Sequence, residues 1–209
     1  IPDAGYLFGG WTEDCHGAAA TSVRLNMRKH CAAVFLPTIS TTPRTLLTWA
    51  SSAGDYIGQG RSETYAPWNS RWAVVLEPTG QRLEIVVTSL DDAQVSRWNL
   101  WFQAPNGQLL QGGTNYTGAI RAPFNTTTPG LSVFGNGRGC NQVVGEFNLR
   151  ELRLGPGDVV ERVSLDFTHH CELGAAPPLT GSLEYSRTGL PTMALDKTWL
   201  SGELLTRSA

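Results

Sequence analysis

The histidines and cysteines of this chain sit together. Cys15-His16, His30-Cys31 and His169-His170-Cys171 hold all four histidines and three of the four cysteines. The fourth, Cys140, lies in Gly137-Arg-Gly-Cys-Asn141. Thiolate and imidazole are favoured ligands of zinc and copper. Paired thiols in an oxidising compartment form disulfides instead. Adjacent side chains on a strand point to opposite faces, so a neighbouring Cys-His pair does not easily aim both groups at one ion. The spacings also lack the Cys-x-x-Cys pattern of zinc sites. Disulfides are therefore expected. Four cysteines allow three pairings, and the sequence alone does not fix one. The local pairs Cys15–Cys31 and Cys140–Cys171 are favoured. The competing reading is a zinc or copper protein, or a metal-dependent hydrolase, using His169, His170 and Asp166. Within it, His170 and Asp166 are the leading ligands, because they share the polar face of one strand.

A second group of residues could hold a ligand without chemistry. The chain has seven Trp and five Tyr. Exposed aromatic rings beside amides and charges bind sugars by stacking on the ring face while polar groups fix the hydroxyls. Trp68, Trp72 and Trp101 are less committed to a core than Trp98, and Trp101 shares its face with Arg97 and Asn99. The plain alternative is that these rings form a second apolar layer under loops. Asp55, in the Gly-rich stretch Ser52-Ala-Gly-Asp-Tyr-Ile-Gly-Gln-Gly60, either caps backbone amides in a turn or contributes to a ligand or calcium loop, for which more oxygen donors are needed. That loop lacks the Gly-Lys-Ser/Thr of a phosphate loop. Neither Gly-x-Ser-x-Gly nor His-Glu-x-x-His occurs, and no pair of carboxylates is placed to flank one bond. A non-enzymatic protein without a required cofactor is expected.

The elements that must position these residues are strands. Short apolar runs are separated by turn residues such as Pro78-Thr-Gly80, Pro105-Asn-Gly107 and Gly155-Pro-Gly157. The runs are 45–50, 72–76, 82–89, 95–103, 130–134, 143–149, 159–169 and 181–185. Alternation places Trp98, Leu100 and Phe102 on one face, with Arg97, Asn99 and Trp101 on the other. From Val159 on, Val163, Leu165, Phe167, His169 and Cys171 share the apolar face, and Glu161 breaks the pattern. The expected fold is all-β, an antiparallel β-sandwich of jelly-roll or Ig-like type over 44–187. A disulfide-closed N-terminal extension over 1–43 precedes it, with strands over 22–30 and 32–36. A tail over 188–209 follows, with a short helical candidate over 195–205.

Charged residues make up 16% of the 209-residue chain and the net charge is −2. The low charge, the abundance of Gly and the cysteines point to a secreted, extracellular or periplasmic protein, and a start at Ile1 fits a removed signal peptide. Cations are scattered except at Arg28-Lys29-His30, which sets nucleic acid aside as a partner. No apolar run reaches the roughly 18 residues of a membrane-spanning helix.

Three motifs, Gly54-Asp-Tyr-Ile-Gly58, Gly135-Asn-Gly-Arg-Gly-Cys-Asn141 and Asp166-Phe-Thr-His-His-Cys-Glu172, resemble a β-rich module of secreted bacterial proteins. The resemblance covers about 45–187. It implies the compartment, a β-architecture and a Cys140–Cys171 link, and it supplies no catalytic residues. The expected partner is a glycan or another surface protein, with a structural subunit of an assembly as the alternative in the same class.

Overall fold

In a computed structural model, residues 6–13, 30–37, 44–90, 96–172 and 175–189 are described. Residues 22–29 of the strand expected over 22–30, Cys15 and hence its bridge to Cys31, and the C-terminal segment 195–205 lie outside them. Two N-terminal strands, β1 (Tyr6–Glu13) and β2 (Cys31–Pro37), pair antiparallel in a sheet of their own.

Ten strands form the second sheet: β3 (Leu46–Ser51), β4 (Ser62–Tyr65), β5 (Ser70–Leu76), β6 (Arg82–Ser89), β7 (Arg97–Gln103), β8 (Thr114–Arg121), β9 (Gly130–Gly135), β10 (Val143–Leu154), β11 (Val160–Cys171) and β12 (Pro178–Ser186). Their spatial order is β4-β3-β12-β11-β10-β8-β9-β7-β6-β5. The all-β class expected from the sequence is present. Two features depart from an antiparallel sandwich. The strands form one continuous hydrogen-bonded sheet, nearly barrel-shaped, and β8 and β9 run parallel through the pairs Ile120–Gly130 and Arg121–Leu131.

Side-chain size accounts for the curl. Trp49 on β3 meets Trp98 on β7 edge-on at 5.1 Å, although five strands separate them in the sheet. Phe102 on β7 packs against Phe147 on β10 at 5.2 Å and Phe167 on β11 at 5.8 Å. Each such pair adds about 0.5–1.5 kcal/mol beyond the area it buries. The Trp98 indole N–H donates to the Tyr65 hydroxyl on β4 at 2.7 Å, and Tyr65 in turn donates to Glu63. Burial first, then the Glu63 carboxylate, pushes the Tyr65 pKa well up, so the hydroxyl stays protonated. A buried N–H is thereby satisfied, and β4 is tied to β7 across the interior.

Two irregularities explain what the alternation leaves unread. On β11 the register steps from Arg153–Arg162 to Leu154–Val160. Glu161 is the extra residue of a bulge, and it pairs outward with Arg153 at 3.2 Å. Val160 and Val163 can then both face inward. On β8, Gly145 opposes Ala119 while Phe147 opposes Tyr116. The added residue lies by Gly118, whose φ of +65° suits glycine. Tyr116 and Ala119, three apart, are both buried. A period-two reading passes over such a strand, and over the four-residue β4 as well.

Candidate functional site

The three motifs lie far apart in the sequence, and the sheet brings them to one end. Ser51 closes β3, and the loop after it turns on Asp55. One Asp55 oxygen accepts from the Ser51 hydroxyl and the Gly58 N–H, each at 2.7 Å; the other accepts from the Ile57 N–H at 3.3 Å. The Ser51 hydroxyl oxygen accepts from the Gly60 N–H at 3.0 Å. Asp55 is buried and surrounded by donors. This is the bonding of a backbone cap, whereas calcium asks for a shell of oxygens.

Arg138 comes from the turn after β9, where Gly135 and Arg138 exchange backbone hydrogen bonds. Its Nε donates to the Ile57 carbonyl at 2.8 Å, which joins the second motif to the first. Two residues on, Cys140 is bonded to Cys171 at the end of β11, with a Cα–Cα distance of 5.3 Å. The Asn141 N–H donates to Glu172 at 2.7 Å. Cys171 lies opposite Val143 in the β10–β11 ladder, so strand pairing carries the second cysteine to the first.

Against this cluster lies a partly enclosed cavity of about 340 Å³. Trp101 and Phe134 line it from β7 and β9, with rings edge-on at 5.1 Å. The segment Arg121–Phe124 lines it after β8, Cys140 and Val143 after the turn, and His169 from β11. Arg82 stacks over Trp101 at 4.9 Å, and Arg121 over Phe124 at 4.9 Å. Such cation–π contacts hold both rings in place. Phe124 is 67% exposed.

His169 is fully buried, and neither ring nitrogen has a hydrogen-bond partner among the described residues. Burial lowers its pKa from 6.5 to about 4; the Asp55 carboxylate opposes this and His170 adds to it. The imidazole is neutral at pH 7. Parity along the strand gave its inward direction. The cavity it lines is built from four other segments, which no local pattern discloses.

The remaining predicted site residues are divided among faces. Trp101, Asn99 and Arg97 alternate with the buried Trp98, Leu100 and Phe102, and of these three Trp101 reaches the cavity. Trp72 is in register with Val87, itself paired with Trp98, and packs on the core from the inward face. Its N–H donates to the Ser70 hydroxyl at 2.9 Å. Trp68, in the turn between β4 and β5, is half-buried, and its indole N–H has no partner among the described residues. The six expected binding residues therefore do not form one surface.

His170 points to the face opposite His169, and its Nδ1 contacts the Ala176 carbonyl. Asp166 is ion-paired with Arg150, which also donates to the Ser164 hydroxyl at 2.9 Å. Four residues of strand separate His170 from Asp166, roughly 13 Å, too far to share an ion. Among the described residues, no group of three or more His, Cys, Asp or Glu side chains is placed to hold a metal.

Fold and site define a disulfide-linked all-β protein with an aromatic cavity over its one buried histidine among the described residues. Comparison with protein-family models, with curated proteins and with solved structures gave no match.

Proposed function

We propose that the chain is a non-enzymatic extracellular or cell-surface module, of the kind secreted by bacteria, that binds a glycan or a protein partner at the cavity. The observation that carries this reading is the aromatic cavity itself, with Trp101 and Phe134 on its wall and the exposed Phe124 beside them. Binding sites are concave, mostly apolar and marked by a few polar groups, and Arg121 and His169 supply those groups here. The Cys140–Cys171 disulfide suits an oxidising compartment. In this reading Cys15 and Cys31 form a second bridge that closes the N-terminal extension.

Titrating the oxidised protein with a panel of soluble polysaccharides and surface proteins tests the proposal through tryptophan fluorescence. A partner bound at the cavity quenches the signal and loses at least about tenfold in affinity with Trp101→Ala, a change of roughly 1.4 kcal/mol. Binding that ignores Trp101→Ala places the site elsewhere and overturns this choice.

A role as a structural subunit has one observation in its favour. β5 ends the ten-stranded sheet, and Val75 on it is 56% exposed. Such an edge can accept a strand from a neighbour. Concentration-dependent sedimentation separates this role from that of a monomeric binder.

A further inference from the structure

His169 sets a condition on whatever fills the cavity. Buried polar side chains are nearly always hydrogen-bonded, yet this imidazole is fully buried, lines the cavity, and has no side-chain hydrogen-bond partner for either nitrogen among the described residues. Most of the surrounding wall is apolar, with Trp101, Phe134, Val133 and Val143 contributing. An apolar cavity of about 150 Å³ takes up benzene. Here about 340 Å³ is open, which leaves room for a substituted ring.

The chemistry of the buried end narrows the ligand. A neutral imidazole offers one N–H donor and one acceptor nitrogen. A hydroxyl is the smallest group that can answer either of them. An ammonium or a carboxylate would lose its hydration there, and His169 is too poorly charged to compensate. Toward the surface, Arg121 is half-buried, and one of its guanidinium nitrogens donates to the Asn141 carbonyl at 3.3 Å. Its other N–H groups can meet polar substituents at the outer end of the ring.

We propose that the cavity binds a small phenol, with its ring among Trp101, Phe134 and Val133 and its hydroxyl hydrogen-bonded to His169. The phenol is either a free molecule or a tyrosine side chain of a protein partner. This inference rests on the cavity being the binding site of the module, and it names the chemistry that the site selects.

The probes are para-cresol and toluene, which differ by one hydroxyl. Each is titrated into the oxidised full chain by calorimetry, with the histidine imidazole resonances followed by nitrogen-resolved NMR. para-Cresol should bind saturably at one site, at least about tenfold more tightly than toluene, as expected when a buried polar group is left unpaired by the wrong ligand. The His169 resonances should move with the same saturation. In His169→Leu the preference for para-cresol should disappear while both compounds still bind. Absence of saturable para-cresol binding overturns the proposal. So does equal affinity for the two probes, or a preference that survives His169→Leu. If the variant fails to fold, the His169 resonances of the parent protein decide: saturable binding that leaves them unmoved overturns it. A tyrosine-containing dipeptide that competes with para-cresol identifies the protein-side source; failure to compete leaves the free molecule.

The two proposals fail separately. If a panel member binds in a Trp101-dependent manner and para-cresol does not bind, the phenol is wrong and the cavity remains the module's site. If para-cresol binds through His169 and no panel member depends on Trp101, the reading as a glycan or protein binder fails.

Discussion

Acid should weaken this protein through one buried histidine. His169 titrates near 6.5 in the unfolded chain and at about 4 when folded, chiefly because it is buried. Between those values the unfolded chain takes up a proton that the folded chain refuses. Stability therefore falls as the pH falls from about 6.5 to about 4, and this contribution is flat outside that window. At 1.36 kcal/mol per pH unit the loss reaches roughly 3 kcal/mol. The titratable groups that act on the imidazole are Asp55 and His170, with Arg121 on the same cavity wall and Arg138 bonded into the Asp55 loop. Other ionisable groups, including the ion pairs of Asp166 with Arg150 and Glu184 with Arg44, are common to the parent and a His169 variant. A variant subtracts that background. His169→Leu removes the titrating group and keeps an apolar side chain of similar bulk. Urea unfolding of both proteins, oxidised, at about pH 7 and about pH 4 gives the comparison. The parent should lose roughly 3 kcal/mol more than the variant on acidification. Equal losses would mean that the imidazole is reached by water or already paired, and would refute the reasoning.

Further outcomes can be checked by the same unfolding measurement. Replacing both Cys140 and Cys171 by Ser opens a link across 31 residues and should cost roughly 3.7 kcal/mol, a chain-entropy figure; no change would show that the β10–β11 ladder alone fixes that end. Asp55→Asn puts an amide where three donors converge on a carboxylate and should cost about 1–3 kcal/mol; a neutral outcome would remove the cap from the account. A Cβ at Gly145 would stand 2.3 Å from the Thr168 carbonyl oxygen and 2.9 Å from Leu131 Cδ2, so Gly145→Ala should destabilise by about 1–3 kcal/mol with the β8–β10–β11 ladder displaced. Tyr65→Phe removes the hydroxyl between Trp98 and Glu63 and should cost about 1–3 kcal/mol, with a shift in Trp98 fluorescence; an unchanged protein would mean that the curl is held by packing alone.

Periodicity and composition determined the β class, several of the turns and the faces of β7 and β11. The strands at 82–89 and 130–135 fall almost where the apolar runs place them. The inward directions of Trp98, His169 and Cys171 follow from a period of two, because the chain itself enforces it. Tertiary structure alone decided the rest. The bulges at Glu161 and Gly118 depend on the partner strand that absorbs the extra residue. The single curled sheet depends on Trp49, Trp98 and Phe102 meeting rings from strands distant in the order. The cavity joins residues from β7 to β11, and whether His169 finds a partner among the described residues is decided by that space. Strand parity is local and can be read residue by residue. Which faces meet, and what room they leave between them, is fixed only when distant segments pack.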